Sequence, residues 1–175
     1  NVRKILKIKT IFNLLGPLLN PASARYQLIG VYSKKWLMPL AKCVQTLPIS
    51  KAWIVHGEDG LDEITTTGKT YVVEVSNKKI KKFIINPNML GLKKSTIKKL
   101  RGKNIRYNAN EIKKLFLNKN TNYDYKNIVL LNTAACLMIV NRCKNLKEGL
   151  TIAKDALESG IAYKKLQQFV IASNE

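Results

Sequence analysis

Four of the chain's 11 acidic residues fall within six positions, in the run His56-Gly57-Glu58-Asp59-Gly60-Leu61-Asp62-Glu63. In a chain with 31 basic residues and a formal net charge of +20, that concentration asks for a cation. Adjacent carboxylates at Asp62 and Glu63 are hard oxygen donors, and Mg²⁺ needs only one or two of these beside substrate phosphates. The other account is a solvated acidic turn meeting nearby lysines, and the residues alone leave the two even. His56, the sole histidine, is either a general base or a hydrogen-bonded strand end; the second is the commoner role and is favoured. A further candidate is Phe12-Asn13-Leu14-Leu15-Gly16-Pro17-Leu18-Leu19-Asn20-Pro21. Glycine beside proline brings the backbone close to a flat ligand while holding the loop in one shape, or serves as a rigid connection, the reading favoured in isolation.

The elements that position these loops follow from apolar runs and their punctuation. Residues 1–8 read as a helix end, and Ile11 to Leu15 as a short apolar turn broken by Gly16-Pro17 and Asn20-Pro21. Tyr26 to Tyr32 and Ala52 to His56 are short apolar runs of buried-strand type. Between them Ser33 is placed to cap a helix over about 34–47, which Pro39 should kink or hold to a short first segment. Strand, helix, strand with short joints makes a βαβ unit, so the two strands should be parallel. The acidic run then follows directly on the second strand, where ligands of α/β sheets bind. Thr70 to Val75 and Ile80 to Ile85 flank Asn77-Lys78 as an antiparallel hairpin.

From Ser95 onward the pattern is helical. Asn108 with Glu111 resembles a capping box for a helix ending near Leu117. Asn122 or Asp124 starts the longest helix, to about Arg142, apolar on most sides and so buried. Glu148 to Ser159 and Ala162 to Ala172 are amphipathic, with Gly160 as a stop between them. The fold class is α/β with a C-terminal helical layer.

Composition narrows the function classes. At 46% hydrophobic and 24% charged residues the chain reads as globular. The densest apolar run, Ala134 to Val140, is far short of a membrane span, and no signal-peptide pattern opens the chain. Cys43, Cys136 and Cys143 fit reduced thiols of a cytoplasmic protein. The large positive charge could mark a nucleic-acid-binding module, but only five of the basic residues are Arg. The lysines are scattered, and Asn occurs 17 times, as A- and T-rich codon usage produces. Base and phosphate readers favour Arg forks, so no nucleic-acid partner is expected. The chain opens on Asn1 with helix-interior character, which suggests a partial sequence.

The two loops carry a specific resemblance. Val2-Arg3, Thr10 to Leu18, Asn20-Pro21, Val55-His56-Gly57 and Asp59-Gly60-Leu61-Asp62-Glu63 are similar to signature blocks of the anthranilate phosphoribosyltransferases. Asn108-Ala109, Leu130 to Ala135 and Glu158-Ser159-Gly160-Ile161-Ala162 follow in that family's order, so the resemblance runs over roughly residues 2–165. It implies the C-terminal part of a catalytic domain of the nucleoside phosphorylase/phosphoribosyltransferase type, a mixed sheet with flanking helices. The implied reaction moves a phosphoribosyl group from phosphoribosyl pyrophosphate to the amino group of anthranilate in tryptophan biosynthesis. Arg3 falls on the family's anthranilate-binding arginine, Gly16 and Pro17 on its ligand-contacting pair, and Asp62 and Glu63 on its paired magnesium ligands. No residue is implied as a covalent catalyst. Leu19 stands where many members have Thr, and Lys9 where many have Arg. The resemblance further implies a homodimeric parent enzyme and, upstream of Asn1, a glycine-rich diphosphate loop, a KHGN-type segment and a helical domain. Residues 1–175 would then be a partial α/β domain holding half an active site, inactive alone. A nucleoside phosphorylase relative is the alternative, separable by whether phosphate or pyrophosphate is the second substrate.

Overall fold

Buried apolar residues on both faces of a short strand demand a layer on each side, and the computed structural model, which describes residues 16–119 and 122–174, supplies both. The first strand, β1 (Tyr26–Gly30), leads through a 3-10 turn, Lys34–Trp36, into α1 (Leu37–Thr46) and then β2 (Lys51–Gly57). As expected of a βαβ unit, β1 and β2 pair in parallel, from Tyr26 opposite Lys51 to Gly30 opposite Val55. Pro39 lies in the first turn of α1, where a missing N–H leaves no bond unmade; the separate 3-10 turn before it is the short first segment. Ser33 precedes that turn but caps it only through its backbone: its carbonyl accepts from Trp36 N–H at 3.0 Å, and its hydroxyl makes no cap bond.

The chain then turns back. β3 (Thr70–Ser76) pairs antiparallel with β2, and β4 (Lys79–Ile85) antiparallel with β3, giving the order β1-β2-β3-β4. Asn77 and Lys78 carry φ of 47° and 61°, the paired left-handed turn that matches the twist of a two-residue hairpin. Edge strand β4 carries Lys79, Lys81 and Lys82, which discourage pairing with other chains.

Alternation in β2 explains its continuous apolar run. Ala52 and Ile54 face one side, joining Ile29, Val31, Val73 and Val75 beneath Leu40, Ala41 and Val44 of α1. Trp53 and Val55 face the other, joining Val72, Ile85 and the buried Ile64. That second face is covered by α4 (Tyr123–Ile139) through Leu131, Ala135 and Ile139. Each of these residues is at most 4% exposed, and a strand covered on both faces loses the apolar-polar alternation of a half-buried one.

The remaining helices are α2 (Ile97–Leu100), α3 (Ile105–Phe116), α5 (Leu146–Glu158) and α6 (Ile161–Ala172). Helix α3 starts earlier than the sequence suggested. Asn104, not Asn108, is its cap and accepts from Tyr107 N–H at 2.9 Å. Asn108 instead sits inside the helix and accepts from Lys103 N–H at 2.9 Å, while Glu111 pairs with Lys114 at 2.8 Å. Asn122 caps α4 by accepting from Asp124 N–H at 2.9 Å, and α4 ends at Ile139 rather than near Arg142 because Asn141 turns left-handed, φ 56°. Asn145 caps α5 by accepting from Glu148 N–H at 3.0 Å, and the Glu148 side chain reaches back past the cap to accept from Lys144 N–H at 2.8 Å. Gly160, φ 76°, separates α5 from α6. Among the described residues no helix is long and apolar enough to cross a membrane.

Candidate active-site crevice

The acidic run forms a tight loop at the carboxyl end of β2. Asp59 builds it. One of its oxygens accepts from Leu61 N–H at 3.1 Å, the other from the hydroxyls of Thr65, at 2.6 Å, and of Thr67. Partial burial works to raise the Asp59 carboxyl, but the Thr65, Thr67 and backbone donors outweigh it and hold the group below its ordinary value. Gly60, φ 91°, supplies the left-handed turn residue. Gly57 N–H closes the loop by donating to Leu61 carbonyl at 2.8 Å. Glu58 accepts from Lys69 N–H at 3.1 Å. Of the four acids, therefore, Glu58 and Asp59 are occupied within the loop.

Asp62 and Glu63 are not. Both are exposed, and neither carboxylate makes a hydrogen bond or ion pair with the described residues. They line a cleft of about 270 Å³ with Leu28, Gly30, Val55 and Asn132. Desolvation, and after it the charge of adjacent Asp62, push the Glu63 carboxyl above its ordinary value. Two adjacent hard oxygen donors that repel one another fit a divalent ion shared with phosphate oxygens. The described residues hold no group of three or more His, Cys, Asp and Glu that could chelate a metal alone. The pair suits an ion completed by substrate and water, not a closed protein cage.

His56, at the end of β2, donates from Nδ1 to the carbonyl of Val31 at 2.8 Å. Since a carbonyl only accepts, Nδ1 carries the proton, and the ring ties the ends of the two parallel strands together. This is the strand-end role. Gly16 and Pro17 form a 3-10 turn, Gly16–Leu19. Leu18 packs against the α1 side of the sheet, and the turn does not line the Asp62–Glu63 cleft. Arg3 and the blocks from Val2 to Leu15 lie outside the described residues.

Two residues that hold the acidic pair did not stand out in the sequence. A Cβ on Gly30 would fall 1.6 Å from the carbonyl oxygen of Asp62, so only glycine lets the loop lie on the end of β1. The available signal was a glycine inside an apolar strand run, which often marks close backbone approach. Asn132, within the block Leu130 to Ala135, binds the backbone of Ile64 from α4: its Oδ1 accepts from Ile64 N–H at 3.1 Å and its Nδ2 donates to Ile64 carbonyl at 2.8 Å. A polar residue inside the mostly apolar run from Ile128 to Ile139 was its signal.

Comparison with known proteins agrees with this arrangement. The model of the glycosyl transferase family, a/b domain, matches residues 1–163. The anthranilate phosphoribosyltransferase of Methylocella silvestris is 42% identical over 172 residues, 98% of this chain and 49% of that protein. That of Azospirillum brasilense is 46% identical over 166 residues, 95% of this chain and 46% of that protein. Among solved structures, the anthranilate phosphoribosyltransferase from Thermus thermophilus superposes with a TM-score of 0.87 at 35% identity, covering 97% of this chain and 50% of its own. The Saccharomyces cerevisiae enzyme in complex with PRPP and Mg gives 0.86 at 33%, covering 96% and 48%. The chain thus spans about half the length of the relatives it matches. On a match over nearly its whole length, with the sheet and acidic crevice in place, the chain belongs to the glycosyl transferase family, a/b domain.

Proposed function

We propose that the protein carrying these residues transfers the phosphoribosyl group of phosphoribosyl pyrophosphate to the amino group of anthranilate, releasing pyrophosphate, in tryptophan biosynthesis. The observation that carries the reading is the adjacent carboxylates Asp62 and Glu63 in the crevice beyond the parallel strands, neither of them bonded to another described residue. Its support is the likeness to enzymes of that name, one of them solved with PRPP and Mg. Asp62 and Glu63 would hold magnesium, which when bound supplies positive charge to the diphosphate leaving group. Both carboxylates must be ionised to do so. Because Glu63 titrates above its ordinary value, the pair gains its full charge later on raising pH than two isolated carboxylates would. Arg3 would grip the carboxylate of anthranilate with its planar fork, and Gly16-Pro17 would lie against the aromatic ring. None of these groups is a covalent nucleophile; they bind, orient and neutralise charge. The three unpaired thiols support a reducing compartment such as the cytoplasm, and the homodimer rests on the family resemblance alone.

The test is a fluorescence assay of anthranilate consumption by the full-length protein with phosphoribosyl pyrophosphate and Mg²⁺. The double variant Asp62→Asn, Glu63→Gln should lose turnover and keep its circular dichroism spectrum. Near wild-type turnover of that variant at saturating Mg²⁺ would refute the metal assignment. Turnover of a nucleoside with inorganic phosphate, and none of anthranilate, would refute the transferase reading.

A further inference from the structure

We infer that Asn132 is a positioning residue for the Asp62–Glu63 pair, an inference that rests on the proposed metal role of that pair. Asn132 projects from the middle of α4, half-buried, and lines the same cleft as the two acids. Its amide makes three hydrogen bonds. Oδ1 accepts from Ile64 N–H at 3.1 Å, and the two Nδ2 hydrogens go to the carbonyls of Ile64 at 2.8 Å and Ile128 at 2.9 Å. The first two bonds grip both backbone polar groups of the residue directly after Glu63, as a strand neighbour would. The third fixes the amide to its own helix. Oδ1, the one amide atom able to meet a cation, already accepts from Ile64 N–H, so Asn132 acts through the backbone of Ile64 rather than as a ligand.

Ile64 is a firm anchor for this grip. Its side chain is fully buried among Trp53, Val55, Val72 and Leu131. On the other side of the pair, the Asp62 carbonyl rests where a Gly30 Cβ would be. The two carboxylates therefore stand on a two-residue span held between the end of β1 and the middle of α4. An ion with strict coordination distances needs such a span, because carboxylates on a loose loop pay to be ordered each time the ion binds. Loss of an outer partner of a metal ligand costs roughly ten- to a hundred-fold in metal affinity.

The experiment measures Mn²⁺ binding to the full-length protein, with pyrophosphate present, by the electron paramagnetic resonance signal of free Mn²⁺, together with the Mg²⁺ activation constant. Asn132→Ala and Asn132→Ser should weaken Mn²⁺ binding about ten-fold or more. They should raise the Mg²⁺ activation constant in proportion and recover most of kcat at saturating Mg²⁺. Leu157→Ala, buried in the α4–α5 packing and outside both the cleft and the Ile64 cluster, is the control for general destabilisation and should leave both constants near wild type. Unchanged Mn²⁺ affinity in the Asn132 variants, or a loss no larger than that of Leu157→Ala, overturns the inference while the metal site stands. If instead the wild type and the Asp62→Asn, Glu63→Gln variant bind Mn²⁺ alike, the metal role itself falls and the inference with it.

Discussion

Gly30→Ala places a methyl group where the backbone of Asp62 already is. The added Cβ would lie 1.6 Å from the Asp62 carbonyl oxygen and 2.5 Å from its carbonyl carbon. Real Cβ atoms essentially never come within 3.0 Å of another heavy atom, so the oxygen must withdraw by the difference, about 1.4 Å. Strand β1 has little freedom to yield, since Gly30 stands opposite Val55 in the parallel ladder, Val31 N–H bonds Val55 carbonyl at 2.9 Å, and Ile29 and Val31 are buried. Ile64 is fixed as well, by Asn132 and by its burial. The displacement therefore falls on the Asp62–Glu63 peptide. Metal–ligand distances tolerate only about 0.2 Å, and a misplacement of about 1 Å at a reacting centre can cost on the order of 100-fold in rate. The expected outcome is a fall of about 100-fold in kcat/KM with a raised Mg²⁺ requirement, beside a stability loss of about 1–3 kcal/mol from overpacking. Steady-state kinetics over a Mg²⁺ series and thermal unfolding read the two effects separately. A Gly30→Ala protein with the wild-type Mg²⁺ activation constant would show that the close approach does not place the acidic pair.

Arg3→Ala in the full-length protein should raise KM for anthranilate about ten- to a hundred-fold, the worth of a charge-assisted hydrogen bond of roughly 1.5–3 kcal/mol. KM for phosphoribosyl pyrophosphate should stay nearly unchanged; equal losses for both substrates would mean that Arg3 supports the fold. Asp59, held below its ordinary value in the fold, contributes stability above its unfolded pKa and loses it as pH falls through the lower folded one. Acid unfolding curves of Asp59→Asn should accordingly be flatter below about pH 4 and show about 1–2 kcal/mol less stability at pH 7; an unchanged acid limb would remove Asp59 from the loop's foundations. If the +20 charge reflects composition, random DNA should bind weakly and be released steeply by salt, and sequence-selective binding persisting at about 0.15 M salt would contradict that account.

Local chemistry made much of this protein legible from its residues. The apolar runs of β1 and β2, the punctuation between them and the Asn77-Lys78 turn each rest on a few neighbouring positions, and the parallel pair and the hairpin followed. Asp62 and Glu63 were legible for the same reason: adjacent carboxylates need no partner from elsewhere to look like ion ligands. Helix starts were less secure, because Asn104 and Asn108 are equally good caps in isolation. The choice between them came from Asn108 taking the Lys103 N–H, a bond that depends on how the preceding loop folds back. Tertiary structure alone sorted the acidic run into Glu58 and Asp59, spent on Lys69, Thr65 and Thr67, and the pair beyond them, which no other described residue engages. It alone gave Gly30 and Asn132 their tasks. Gly30 is 32 positions from Asp62 and Asn132 is 68 from Ile64. Contacts across such distances are set by how α4 and β1 pack on opposite sides of one loop, and no local preference of Gly or Asn encodes that packing.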